Sequence, residues 1–412
     1  MHDFKFKNNE LYCEDVKVAD IAKKVGTPFY LYSENTIVSH FRKLDSAFSE
    51  IPHIICYSLK ANSNLAICKI LAKEGCGADV VSGGEIYKAL KSNIKPDKIV
   101  YAGVGKTEEE IAFAIDTKIL MFNIESISEA VLINKIARQK KVKVNVALRI
   151  NPDVNPDTHS YITTGKKENK FGINIKFAKE FFVKINTFKN LNVCGLHLHI
   201  GSQITKSAPY VLALKKVAKL IYSLRELKIN ITRLDIGGGL GIIYDEEKPS
   251  TALGFAKAVL PIIKSIGCQI ILEPGRFIVG NAGILVTKVI YFKKAQVKNF
   301  VIVDAGMNDL IRPSLYDAYH QILEVKKNNT KKILADVVGP ICESGDFLGK
   351  NRYVSEPKAG DLFAVMSAGA YGFSMASNYN SRPRPTEIMV EGDTWEIIRK
   401  RETYTDLIKN EI

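Results

Sequence analysis

Between about residue 28 and residue 281, eight short apolar runs rich in β-branched residues recur, at 54–59, 78–81, 99–102, 119–124, 144–150, 193–200, 231–236 and 269–272. Stretches with apolar residues three and four apart lie between them, as from Glu108 to Ile115 and from Tyr210 to Leu227. A strand followed each time by a helix cannot turn straight back on itself, so the strands run parallel and the helices cover them. Eight such units predict a (β/α)8 barrel of the TIM type. After Asn281 the pattern changes to strand-like runs at 284–291, 300–303 and 332–338, separated by Gly, Pro and Asn turns. These predict a second, mostly β domain of Greek-key or sandwich-like build. Residues 4–18 alternate in the same way and are expected to join it. The expected division is therefore 1–27 with the β domain, 28–281 as the barrel and 282–412 as the C-terminal β domain.

A chain of 412 residues exceeds what one core usually serves, in keeping with two domains. Hydrophobic residues at 46% and charged residues at 25% argue for a folded protein rather than a disordered one. The formal charge of +14 is dispersed in short pairs such as Lys140-Lys141 and Lys326-Lys327, without a basic stripe, so no nucleic-acid partner is expected. Such a surface suits small anionic substrates and phosphates. Seven cysteines, an odd number without paired spacing, predict reduced thiols in the cytoplasm. Residues 1–10 are polar, and the longest charge-free stretch, 362–381, is full of Gly, Ser, Asn and Tyr. A soluble, cytoplasmic protein without a membrane partner is expected.

In a barrel of this kind the reactive groups belong at the C-terminal ends of the strands, with phosphate held by the loops after strands seven and eight. Strand one ends at Tyr57-Ser58-Leu59-Lys60-Ala61-Asn62, strand two contains Asp79, and strand six ends at His197-Leu198-His199-Ile200-Gly201-Ser202. Strand seven ends in Gly237-Gly238-Gly239, and strand eight in Glu273-Pro274-Gly275-Arg276. A lysine at a barrel mouth can form a Schiff base with a carbonyl cofactor, which makes Lys60 the candidate. A dinucleotide loop would follow the first strand; Gly237, Gly238 and Gly239 follow the seventh, where their backbone N–H groups suit one phosphate monoester. His197 and His199 could form a metal-binding pair, but stacking of His199 on an aromatic cofactor ring accounts for it better, and His197 can equally be a packed interior histidine. A carboxylate at Glu273 can keep a pyridine nitrogen protonated, which creates the electron sink that decarboxylation needs; the competing reading is a structural ion pair.

These motifs resemble those of the fold-III decarboxylases of ornithine, arginine and diaminopimelate, which use pyridoxal 5'-phosphate, and the likeness runs nearly end to end. It implies that Lys60 binds the cofactor covalently, that His199 stacks on it and that Glu273 meets its ring nitrogen. Ser202, the glycine loop, Gly275 and Arg276 would seat the phosphate, with Asp79 beside the cofactor. Tyr371 resembles a tyrosine that reaches the phosphate or the substrate, and Arg276 can touch either. Asn169-Lys170-Phe171-Gly172 matches a loop after strand five, or is an ordinary loop. Cys342 corresponds to the acid that protonates the carbanion on the product side.

Within that family, Arg312-Pro313-Ser314-Leu315-Tyr316 and Cys342-Glu343-Ser344-Gly345-Asp346 resemble the diaminopimelate-acting members. A distal carboxylate calls for a guanidinium fork, which Arg312 with Tyr316 can supply, while Glu343 can hold the distal ammonium. The resemblance thus implies decarboxylation of meso-diaminopimelate, at its D-configured centre, to L-lysine, by a homodimer whose subunits share active sites. Other readings are a decarboxylase of carboxynorspermidine, ornithine or arginine, and a catalytically dead regulator, against which Lys60, Glu273 and Cys342 all argue.

Overall fold

The computed structural model describes residues 2–154, 170–328 and 330–412. It separates into two compact units, His40–Ile242 with Lys248–Phe277, and Met1–Ser39 with Ile243–Glu247 and Ile278–Ile412.

In the first of these, among the described residues, eight parallel strands close into a ring in sequence order. They are His53–Ser58, Gly77–Val80, Ile99–Tyr101, Met121–Ile124, Val144–Asn151, Leu191–His197, Arg233–Asp235 and Gln269–Leu272. The last pairs with the first, Ile271 opposite Ile54, which completes the barrel. Each of the eight expected runs overlaps one of them, because strands covered on both faces are largely apolar. Cys56, Val100, Met121, Ala147, Cys194 and Ile271 form a buried cluster. Strand six shifts register between Val193 and Gly195, where a Cβ would lie 2.9 Å from both the Ala147 Cβ and the Met121 Sδ. A glycine is what that crowded layer accommodates.

The helix Ala208–Glu226 covers its share of the barrel with a stripe of Tyr210, Ala213, Leu214, Val217, Ile221 and Leu224, all buried. That is the three-and-four spacing expected of one helical face. Glu108–Thr117 starts with a reciprocal capping box between Thr107 and Glu110, which satisfies two of its otherwise unpaired N–H groups.

The other unit is mostly β. Gly283–Lys293 is central, antiparallel to Phe29–Ser33, Asn299–Val303 and Leu362–Val365. Lys332–Val338 and Phe347–Ser355 extend one side, and Thr386–Glu391 and Thr394–Arg399 the other. Phe29–Ser33, which the sequence pattern assigns to the start of the barrel, pairs instead with Gly283–Lys293 in this unit; it is buried along its whole length and shows no alternation to mark it. Residues 4–17 form a small antiparallel sheet of their own, whose Phe4, Leu11, Cys13 and Val16 pack with Phe29, Leu31, Ile284 and Val286.

Candidate active site

The barrel residues singled out above lie at or just past the C-terminal ends of their strands, and strand pairing brings those ends together. A short 3-10 turn, Leu59–Ala61, follows strand one and carries Lys60, whose Nζ is 3.4 Å from Asp79 Oδ2. Ser58 Oγ donates to the same oxygen at 2.6 Å. The end of strand one is tied to that of strand eight by the Ser58 N–H donating to Pro274 O at 3.1 Å. Gly275 presses against it: a Cβ there would lie 3.0 Å from the Ala61 Cβ. Arg276 is buried and Ser202 partly so.

The glycine loop is equally tight. Gly237 and Gly239 have φ of +68° and +100°, a region that favours glycine. A Cβ at Gly237 would fall 2.5 Å from Leu198 O, and one at Gly238 would fall 2.1 Å from Glu273 O. The Gly238 N–H donates to His199 Nδ1 at 3.2 Å, and Tyr210 Oη donates to Gly238 O at 2.8 Å. With Nδ1 accepting, the neutral His199 ring carries its proton on Nε2. Burial, then the charges of Lys60 and Arg149, push its pKa well below the usual histidine range, so the ring is neutral near pH 7. Strand six ends at His197, and His199 lies beyond it.

Beneath the mouth lies a buried polar cluster. His197 Nε2 is 3.3 Å from Glu273 Oε2, and neither His197 ring nitrogen has a well-aligned hydrogen bond, so this contact is electrostatic. Asn123 Nδ2 donates to Asp235 Oδ2 at 3.0 Å and to Glu273 Oε1 at 3.2 Å. His197, Asp235 and Glu273 each place one ligating atom within 4.8 Å of the others, a grouping that does not include His199. Burial and then the charge of Glu273 drive the Asp235 carboxyl well above the usual range. Burial also opposes ionisation of Glu273, but His197, Lys60 and a hydrogen bond from Asp235 outweigh it, and that carboxyl is held well below the usual range. Asp79 is raised, by burial first and Glu273 second, with Lys60 and Ser58 opposing.

Several of these groups escaped the sequence reading. Asp235 and Asn123 sit inside apolar runs, where a polar residue costs free energy unless it is used, and that was the available signal. Glu85, pushed up to about 7 chiefly by burial, accepts from the Val81 N–H at 2.8 Å and had no such signal, because it starts an ordinary helix. Lys106 also follows a strand end, but its Nζ is committed to Glu129 Oε1 at 2.6 Å and to the carbonyls of Gly103 and Asn123.

Of the substrate-side candidates, Arg276 lies in the barrel unit and the others, Arg312, Tyr316, Glu343 and Tyr371, lie in the β unit. Arg312 begins the helix Arg312–Tyr316, is buried, and stacks over the rings of Tyr244 and Tyr316 at 5.2 and 5.9 Å. Its Nε donates to His320 Nε2 at 3.3 Å, while His320 Nδ1 lies 2.8 Å from Met366 O. His320 and Tyr244 are a supporting layer that sequence reasoning missed. Ser314 Oγ donates to Gly345 O at 2.6 Å, which joins the Arg312 motif to the segment carrying Cys342 and Glu343. Both of those residues are exposed, and the other six cysteines are buried. Tyr371 holds a left-handed backbone at φ +56°. Of the loop Asn169-Lys170-Phe171-Gly172, Asn169 lies outside the described residues; the Gly172 N–H donates to Glu125 Oε2 at 2.7 Å, and Arg149 Nη1 contacts Glu125 Oε1 at 2.7 Å.

Residues 34–280 match the family model for the pyridoxal-dependent decarboxylase, pyridoxal binding domain. The chain is 48% identical over 405 residues to the diaminopimelate decarboxylase of Aquifex aeolicus, covering 98% of this chain and 96% of the relative. It is 46% identical to the enzyme of the same name from Haemophilus influenzae, covering 99% and 98%. Among solved structures, diaminopimelate decarboxylase from Helicobacter pylori complexed with L-lysine superposes with a TM-score of 0.92 at 44% identity, covering 95% of this chain and 98% of that one.

Proposed function

The chain belongs to the pyridoxal-dependent decarboxylases and, within them, to the diaminopimelate decarboxylases, and from that membership we propose how its residues divide the work. The reaction is removal of carbon dioxide from meso-diaminopimelate to leave L-lysine, the last step of lysine biosynthesis, with pyridoxal 5'-phosphate as cofactor. That cofactor needs an amine for its carbonyl, an anion beside its ring nitrogen and a side-chain-free cradle for its phosphate. Lys60, Glu273 and the loop at Gly237, Gly238 and Gly239 suit those needs at one end of the barrel. When bound, the group supplies an electron sink for the pair left as carbon dioxide departs.

In this reading Lys60 holds the cofactor and Asp79 orients the amine. Neutral His199 packs on the ring without adding charge. Ser202, the glycine loop, Gly275 and Arg276 hold the phosphate, with Tyr371 reaching it or the substrate. Arg312 and Tyr316 bind the distal carboxylate and Glu343 the distal ammonium; Cys342 delivers a proton to the product carbon. We further propose a cytoplasmic homodimer in which the Cys342 segment of one subunit serves the other's Lys60. No helix among the described residues is long and apolar enough to cross a membrane.

The observation that carries the assignment is the buried Glu273 carboxyl on the same strand-end face as Lys60 and the glycine loop. A buried carboxylate is costly unless cations answer it, and a protonated ring would add to the answer that His197 and Lys60 give. Incubation with meso-diaminopimelate and with ornithine, separately, is the test. Lysine from the first and no diamine from the second is expected; putrescine from ornithine would overturn the assignment of Arg312.

A further inference from the structure

The barrel end buries more acid than the roles above employ. Asp235 closes strand seven, is 0% exposed and stands two residues before the glycine loop. Its Oδ1 accepts the Gly237 N–H at 2.9 Å. Its Oδ2 accepts from Asn123 Nδ2 at 3.0 Å, and the same amide reaches Glu273 Oε1 at 3.2 Å.

We infer that Asp235 is a positioning residue for Glu273: the two carboxyls share one proton, Asp235 keeps it, and Asp235 donates it as a hydrogen bond to Glu273. The inference rests on the reading of Glu273 as the partner of the cofactor's ring nitrogen and deepens it.

Two carboxylates this close in a dry interior repel, and each has lost its water, so a single shared proton is the favourable state. Its location follows from the neighbours. Glu273 has the His197 ring at 3.3 Å and the charge of Lys60 acting on it, so its anion is answered. Asp235 has only neutral donors on its oxygens, the Gly237 N–H and the Asn123 amide. The anion therefore settles on Glu273 and the proton on Asp235, and the opposite displacements of their pKa values agree. One consequence is geometric: the same carboxyl that steadies Glu273 also pins Gly237, so the anion and the phosphate loop are held in a common frame.

The test uses the full chain reconstituted with pyridoxal phosphate, as wild type, Asp235→Asn, Asp235→Ala and Glu273→Gln. Asn is neutral at every pH, keeps an oxygen for the Gly237 N–H and a donor for Glu273, and gives up only the acceptor that Asn123 Nδ2 uses. Infrared difference spectra at neutral pH, wild type minus Asp235→Asn, should show the loss of a protonated-carboxyl C=O band. In kinetics, Asp235→Asn should lose about tenfold or less in kcat, and Asp235→Ala ~100-fold or more with KM little changed, as when one donor to a critical charge is removed. An acid band untouched by Asp235→Asn overturns the inference, as does an Asn variant with less than about a hundredth of wild-type kcat. Should the Ala variant fail to fold, the infrared comparison and the Asn kinetics still decide. Glu273→Gln separates the two layers: if it decarboxylates at the wild-type rate, the reading of Glu273 fails, whatever the Asp235 band shows.

Discussion

Lys60 Nζ stands 3.4 Å from Asp79 Oδ2, an oxygen that already accepts the Ser58 hydroxyl at 2.6 Å. The amine is thus aimed by an acid that the Ser58 hydroxyl holds at that same oxygen, and the 3.4 Å contact is loose enough to be given up when the amine binds a carbonyl. Lys60→Ala should abolish covalent attachment of the cofactor. The check is the visible absorption band and its loss on borohydride reduction; an undiminished, reducible band in the variant would place the attachment elsewhere.

Gly238→Ala should cripple cofactor binding while removing no reactive side chain. The new Cβ would lie 2.1 Å from the backbone oxygen of Glu273, which cannot move aside without shifting strand eight. Overpacking of this kind costs about 1–3 kcal/mol. A lower melting midpoint together with weaker pyridoxal phosphate affinity is expected, measured by thermal unfolding and by titration of the cofactor-free variant.

Glu85 should make stability depend on pH near neutrality. Burial raises its pKa to about 7, so folding favours the protonated form. That contribution is fully present below the unfolded value of about 4.3 and is lost as pH rises through about 7. Glu85→Gln removes the titration and keeps an acceptor for the Val81 N–H. The melting midpoint of the variant relative to wild type should climb between about pH 4 and pH 7, the window these pKa values define. A constant difference across that range would show that Glu85 is not raised.

Arg312→Leu should raise KM for meso-diaminopimelate far more than it weakens the cofactor. Leaving a buried carboxylate unpaired costs on the order of 2 to 5 kcal/mol. Lysine should rescue poorly, because an ammonium lacks the fork and the stacking that Arg312 makes over Tyr244. Steady-state kinetics on the two variants, with cofactor affinity measured in parallel, give the answer.

Mixed dimers test the shared-site proposal. Lys60→Ala and Cys342→Ala homodimers should each be severely impaired. In a mixed dimer, two-fold symmetry puts both defects in one site and neither in the other, so subunit exchange should restore about one intact site per dimer. Verified exchange without any gain over the two parents would mean that Cys342 serves its own chain or no chemistry.

How far the sequence reaches is clearest at strand seven. The run at 231–236 announced a buried strand, and Gly237, Gly238 and Gly239 announced a loop without side chains, because both follow from local rules: apolar burial and backbone space. The same local rules located the eight barrel strands and set Lys60, His199 and Glu273 on one face, since a parallel barrel sends every strand end the same way. The strand Phe29–Ser33 defeated them, because full burial erases the alternation that marks a strand. What tertiary structure alone decided is which residues share charge. Asp235 and Glu273 are far apart in sequence, and so are Asn123 and His197, yet they meet in one buried cluster where a single proton must be divided. Residue spacing carries no record of that meeting, because the cost of a buried charge depends on distance through space and on the loss of water.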